Sequence, residues 1–220
     1  MGIFKKSFQF FFCAATVVVL IVGLSATADA TIVQTLNLSK ADISDLIRLE
    51  ERLNSYKTVR ARFIQVSSNG DYTEGMLHLS RPGRMRIEYD LPNPVIVIAD
   101  GSSLIYVDRE LEQVSAILLS LTPAAILLKD NFSLISKDIL ITGFHRSPGI
   151  LRMSIVKAED PLSSKLTLIF SDKPLELRKW SVVDNLGITT TISLLGPEFG
   201  LKLDPKLFDY EIPDFYKNIN

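Results

Sequence analysis

The chain has 220 residues, 47% of them hydrophobic, with 24 basic and 25 acidic side chains and a net charge of −1. That balance argues against a nucleic-acid binder, which needs a strongly basic face. One Cys excludes an intramolecular disulfide and any Cys-based zinc site, and two His leave few ligands for another metal.

Residues 1–30 carry a basic head with Lys5 and Lys6, an apolar run from Phe10 to Leu24, and the ending Ala28-Asp29-Ala30. These are the three parts of a secretory signal peptide. The run is fifteen residues long, short of the roughly twenty that span a bilayer as a helix. Cleavage is expected after Ala30, leaving residues 31–220 as one exported domain. Cys13 sits inside the apolar run behind Phe10, Phe11 and Phe12, where a lipoprotein signal carries small residues, so it reads as part of the discarded signal.

Ser39 and Asp42 form a candidate capping box, which predicts a helix over 40–55. Ile43, Leu46, Ile47 and Leu53 mark its apolar stripe, with Arg48, Glu51 and Arg52 facing away. After Tyr56 the period becomes two: Val59, Ala61 and Phe63 alternate with Arg60 and Arg62. Asn69-Gly70 signals a hairpin turn, and a strand follows over 72–80. Arg81-Pro82-Gly83 breaks it. Met85, Ile87 and Tyr89 then alternate with Arg84, Arg86 and Glu88, the clearest half-buried strand in the chain. Residues 95–99 are apolar throughout, Asp100-Gly101 turns, and 104–107 and 113–117 read as further strands. Thr122-Pro123 predicts an N-cap with proline in the first turn of a short apolar helix over 124–129. Strands are expected at 139–145, 149–156, 165–171, 175–183 and 188–195, and a last one near 207–211. The sum is a mainly β (α+β) domain of ten or so antiparallel strands with two helical insertions.

Catalytic constellations are absent from this pattern. There is no Gly-x-Ser-x-Gly elbow, phosphate-binding loop or His-Glu-x-x-His. His78 and His145 have no partners at ligand spacing. Asp90, Asp100 and Asp108 fall at strand ends, where Asp commonly builds turns. Arg60, Arg62, Arg81, Arg84 and Arg86 could bind phosphate, but they read more simply as outward charges on two-sided strands. What remains is a sheet with one apolar face. Val59, Phe63, Met85, Ile87, Tyr89, Ile96, Ile98 and Tyr106 form either a solid core or the wall of an apolar cavity. A curved sheet this long must close on itself or be covered, and the two helices are the candidate covers.

Arg81-Pro82-Gly83-Arg84-Met85-Arg86, Tyr89, Pro92, the Asp100-Gly101 turn, Gln113 and Thr122-Pro123 together resemble the LolA-type periplasmic lipoprotein carriers. The leading helix, Phe63-Ile64-Gln65, Gly75 and Leu207-Phe208 belong to the same resemblance. It implies an incomplete antiparallel β-barrel of about eleven strands with a helical lid over an apolar cavity. It also implies a monomeric, non-enzymatic, cofactor-free chaperone of the periplasm. Such a carrier takes acylated lipoproteins from an inner-membrane ABC-type transporter to an outer-membrane acceptor. Arg81 is then the residue that bonds to the lid and closes it. Met85 and Ile87 depart from the family, whose members often carry aromatics at these positions. Met is flexible and polarizable, so the wall is expected to be softer here. The alternatives are a periplasmic binding protein of the same fold for another lipid or glycolipid, and a hydrolase of cell-envelope material. A eukaryotic secreted protein is raised only by the sequons Asn37-Leu38-Ser39 and Asn131-Phe132-Ser133.

Overall fold

The structure is a computed structural model, and it describes residues 36–210. The expected signal peptide, its cleavage site and Cys13 lie outside the described residues. The capping box opens helix α1 (Lys40–Ser55): Ser39 Oγ accepts the Asp42 amide at 3.1 Å, and the Asp42 carboxylate accepts the Ser39 amide at 2.9 Å. The helix is rotated from the expected stripe. Asp45, Leu46, Leu49 and Leu53 are buried, while Ile43 and Ile47 stay about half exposed. Leu46, Leu49 and Leu53 set the buried face, and Asp45 beside them is carried inward. Its carboxylate pairs with Arg48 one turn on and with Arg146 across the fold, which offsets the cost of burying it.

Eleven strands follow: β1 (Thr58–Ser67), β2 (Tyr72–Ser80), β3 (Arg84–Tyr89), β4 (Val95–Asp100), β5 (Ser103–Asp108), β6 (Gln113–Leu118), β7 (Ile139–Ser147), β8 (Ile150–Lys157), β9 (Ser164–Asp172), β10 (Leu175–Asp184) and β11 (Thr189–Phe199). All pairs are antiparallel, in the order β6-β5-β4-β3-β2-β1-β11-β10-β9-β8-β7. β6 and β7 are therefore the two edges, and the barrel is left open between them. Segment 119–138 spans that opening and carries a 3-10 turn (Leu119–Leu121) and the short helix α2 (Ala124–Leu127). Thr122 does not cap α2 as the sequence suggested. Pro123 holds the N-cap position, and the Thr122 hydroxyl donates back to the Leu119 carbonyl at 2.8 Å. The expected strand at 207–211 is a 3-10 turn over Pro205–Phe208, with residue 211 outside the described residues.

Residues directly opposite one another in an antiparallel pair share a face. The registers therefore trace an inner row Ala61–Leu77–Ile87–Val97–Tyr106 and a second inner row Val59–Leu79–Met85–Ala99–Leu104. On the other half, Met153, Leu168 and Trp180 align, as do Leu151 and Phe170. All of these but Val97, which packs against it, and Tyr106 join Leu46, Leu49 and Leu53 of α1, Ile126 and Leu127 of α2 and the adjoining Leu128 in one buried cluster. The helices therefore fill the space the sheet encloses.

The outer face is polar over β1–β3. Arg60 pairs with Glu198 at 2.9 Å, Arg62 with Asp90 at 2.5 Å, and Arg86 with Glu88 at 2.5 Å. The outward-charge reading of the arginine stretch describes these three. Over β4 and β5 the outer face turns apolar, with Ile96, Ile98, Ile105 and Val107 all buried. The turn Pro205–Phe208 lies against β3 and β4 there, with Phe208 2% exposed and the Leu207 carbonyl accepting from Arg86 at 3.3 Å.

Candidate functional site

The expected apolar wall divides between the two faces. Val59, Phe63, Met85, Ile87, Tyr89 and Tyr106 stand on the inner face, toward the helices. Ile96 and Ile98 do not: they lie opposite Glu88 and Arg86 on the outer face, and Val97 and Ala99 are inner residues of β4. The sequence could not separate them because 95–99 is apolar on both faces, so the alternation that marks sidedness is missing. The inner wall of β8–β10, including Met153, Leu168, Phe170 and Trp180, escaped selection although β9 alternates Leu166, Leu168 and Phe170 in plain period two.

Gly75 shapes the wall. A Cβ there would lie 2.1 Å from the Glu88 carbonyl oxygen and 2.8 Å from the Phe63 ring. With no side chain, β2 leaves room for the Phe63 ring to meet Tyr89 edge-on at 5.5 Å and 81°. The Tyr89 hydroxyl donates to Gln65 at 2.9 Å, and burial pushes its pKa up to about 12. Tyr89 therefore stays neutral at physiological pH. Two clefts, of about 440 and 410 Å³, lie outside this wall. One runs along α1 by Arg48, Arg52 and Leu175; the other lies between the 81–83 and 100–101 turns. The space against the wall itself is taken by the helices' own leucines.

The Arg81-Pro82-Gly83 turn is the junction of both helices. Arg81 Nη1 donates to the Leu53 carbonyl in the last turn of α1 at 2.5 Å, and its Nε donates to the Leu127 carbonyl at the end of α2 at 2.8 Å. The Gly83 amide donates to the Leu128 carbonyl at 2.9 Å. The residue's φ of +73° suits glycine, and a Cβ would sit 2.8 Å from Gly101 Cα. The Asp100-Gly101 turn thus backs the junction. Carbonyls at helix C-termini are unpaired and carry partial negative charge, so a guanidinium is well matched to them. Burial opposes the charge and lowers the Arg81 pKa to about 10, which leaves it protonated at neutral pH. The contact balances a desolvation cost against two charge-assisted hydrogen bonds.

Further polar ties hold the helices. Asn54 and Phe132 exchange two hydrogen bonds of 2.8 Å, side-chain amide to backbone, and Glu50 accepts the Leu134 amide at 2.7 Å. Arg48 reaches Asp172 at 3.0 Å, and Arg52 donates to the Leu175 carbonyl at 2.7 Å while lying over the Tyr56 ring. Lys157 of β8 donates to the Ser120 carbonyl beside β6, across the open seam. Among the described residues no grouping of His, Cys, Asp and Glu is placed to hold a metal. The arrangement offers an apolar enclosure and a polar fastening.

A family model described as "Outer membrane lipoprotein carrier protein LolA" matches residues 54–211. A curated outer-membrane lipoprotein carrier protein of Azotobacter vinelandii is 31% identical over 87% of this chain and 93% of its own length. Carriers of the same name match from Pseudomonas aeruginosa PAO1, at 31% identity over 80% of this chain and 88% of theirs, and from Methylococcus capsulatus, at 28% over 80% and 87%.

Proposed function

The chain belongs to the LolA family of outer-membrane lipoprotein carrier proteins, and we infer from that premise that it shields the acyl chains of lipoproteins and carries them across the periplasm. One observation carries the mechanism: the inner apolar face is covered by two helices that are fastened by polar ties. Leu46, Leu49, Leu53, Ile126, Leu127 and Leu128 occupy the enclosure in the closed form. Exposing six such side chains to water costs on the order of 10 kcal/mol, so an empty protein stays shut. An acyl chain that replaces them exchanges one apolar contact for another. Each CH₂ kept from water contributes about 0.8 kcal/mol, but a chain leaving a bilayer was already shielded. Transfer from membrane to protein is therefore near balance, and loading needs work from a partner.

In this reading Arg81 is the lid latch, with Gly83 as its second bond. Val59, Phe63, Met85, Ile87 and Tyr89 are the wall the acyl chains meet, with Tyr106 deeper along β5. Residues 1–30 are a signal peptide cleaved after Ala30, and 31–220 act as one monomeric domain without catalytic chemistry. An inner-membrane ABC-type transporter loads the carrier, and an outer-membrane acceptor unloads it.

Coexpression with an acylated lipoprotein, followed by detergent-free purification and mass spectrometry of bound material, tests the reading. Lipoprotein bound with its acyl chains is the expected result. Recovery of only free lipid or glycolipid would move the protein to the binding-protein class, and recovery of neither would overturn lipid carriage.

A further inference from the structure

The hairpin turns fall on two edges of the sheet. Because β1 pairs antiparallel with both β2 and β11, turns 68–71, 90–94, 109–112, 158–163 and 185–188 share one edge, joined by the Ser68 amide bonding to the Thr189 carbonyl at 2.8 Å. Turns 81–83, 101–102, 148–149 and 173–174 share the other, with the Arg81 junction. That second set is built of Pro, Gly, Ser, Lys and Arg. In the first set, four of the five turns lift a leucine into solvent: Leu91 is 90% exposed, Leu162 78%, Leu186 73% and Leu111 62%.

These leucines are not needed to build their turns. Asp108 accepts the Glu110 and Leu111 amides at 3.0 and 2.9 Å, and Asp184 accepts the Leu186 and Ile188 amides at 2.9 Å each. Asp90 and Asp160 carbonyls accept the Asn93 and Ser163 amides. The backbone is fastened by polar groups while the apolar side chain points away, at the cost of leaving about 1.5–3 kcal/mol of burial per leucine unused. Four such tips along one edge are an apolar surface looking for a partner.

We propose that this edge is a membrane-contacting rim whose four leucines enter the headgroup layer of a zwitterionic bilayer. The tips stand on separate turns and form no groove, so a protein partner would need a separate socket for each, whereas a fluid surface needs none. Charge selects the lipid. The same turns carry Asp71, Asp90, Glu110, Glu112, Glu159 and Asp160 against Arg109, with Asp90 paired to Arg62 and Glu159 to Lys157 beyond them. Such an edge is repelled by anionic headgroups and suits the outward ammonium of phosphatidylethanolamine. Four partly inserted side chains give weak, reversible attachment. The proposal rests on the carrier reading only in that such a protein must visit membranes.

The test is co-sedimentation of the purified protein with vesicles of phosphatidylethanolamine and phosphatidylcholine, and with vesicles in which about half the lipid is phosphatidylglycerol. The variant combines Leu91→Ser, Leu111→Ser, Leu162→Ser and Leu186→Ser, all at exposed sites, with its denaturation midpoint as the folding control. Wild-type protein should bind the zwitterionic vesicles, and the variant should bind roughly tenfold less or weaker. Phosphatidylglycerol should reduce binding, and the variant should still retain lipoprotein after detergent-free purification. No wild-type binding, equal binding by the variant, or stronger binding to phosphatidylglycerol would each overturn the rim. If the variant loses lipoprotein as well, the rim is not separate from the cargo site and the proposal fails. If wild-type protein holds no lipoprotein at all, the carrier reading fails while the vesicle result still decides the rim.

Discussion

Two apolar covers close the two faces of the β3–β5 half of the sheet, and they differ in how many polar bonds hold them. On the outer face the turn Pro205–Phe208 lies against β3 and β4, with Phe208 2% exposed. On the inner face α1 and α2 bury leucines too, but their fastenings are a guanidinium, an Asn–backbone pair and the ion pairs of α1 with Asp172 and Arg146. Apolar burial with a single long polar contact, Arg86 to the Leu207 carbonyl at 3.3 Å, suits a cover that never leaves. A polar fastening can be broken by competing groups and reformed in the same geometry, which suits a cover that opens. On the proposed reading, the difference separates a structural core from a working one within the same strands.

The sharpest way to break the comparison is to remove the permanent cover. Phe208→Ala should cost about 3–5 kcal/mol of stability, read by chemical denaturation. Hydrogen exchange in α1 should stay as slow as the lowered global stability permits. If α1 opens selectively, the two covers are not independent.

Met85→Glu comes next. It sets a carboxylate on a wall position that is 6% exposed, and an unpaired buried charge is strongly unfavourable. Lipid binding is expected to fall by roughly tenfold or more, which is about 1.4 kcal/mol or more. Unchanged binding would mean that Met85 does not meet the ligand.

Arg81→Leu should change less in global stability. Two charge-assisted bonds worth about 1.5–3 kcal/mol each are lost, but the burial of a guanidinium is relieved. The net stability change should stay below about 2 kcal/mol. The lid itself should loosen, with faster hydrogen exchange at the end of α1 and around Leu128, and abnormal loading and release of lipoprotein. Wild-type transfer rates would remove the latch role.

The smallest effect belongs to His78, on the outer face between Arg60 and Arg86. Burial lowers its pKa below the ordinary histidine value. Below about pH 6.5 the unfolded chain therefore takes up a proton that the folded chain resists. The contribution is present above that pH and fades as pH falls through the folded value. Denaturation midpoints should drop on mild acidification, and His78→Gln should flatten that dependence while leaving lid exchange unaltered.

Local signals were sufficient where local interactions decide the outcome. Ser39 and Asp42 satisfy each other, so α1 begins where the sequence placed it, and Arg84–Tyr89 alternates because β3 has one wet face and one dry face. Asp100 and Asp108 build turns from amides two and three residues on. Long-range partners explain the rest. Asp45 is buried where Arg146, about a hundred residues later, joins Arg48 in pairing with it. Ile96 and Ile98 needed the β3 register to be assigned a face. The 207–208 segment looked like a strand because nothing local reveals that an outer apolar surface on β4 is waiting to be covered. Of the candidate site, the inward side of β1–β3 was legible from its period of two, Arg81 was singled out only through the family resemblance, and the leucines that fill the enclosure were legible only as helix residues.

The open seam between β6 and β7 has a mechanical consequence. In a closed barrel, strand number and stagger fix the circumference through an unbroken circuit of backbone hydrogen bonds. Here that circuit is interrupted, and the segment that crosses the gap belongs to the lid itself. Spreading the seam breaks no strand pairing, but it loads the bonds that hold segment 119–138, among them Lys157 to Ser120, Arg81 to Leu127 and Asn54 to Phe132. On the carrier reading proposed above, capacity would be an elastic property, set by how far the two edge strands part, and not the bore of a fixed cup.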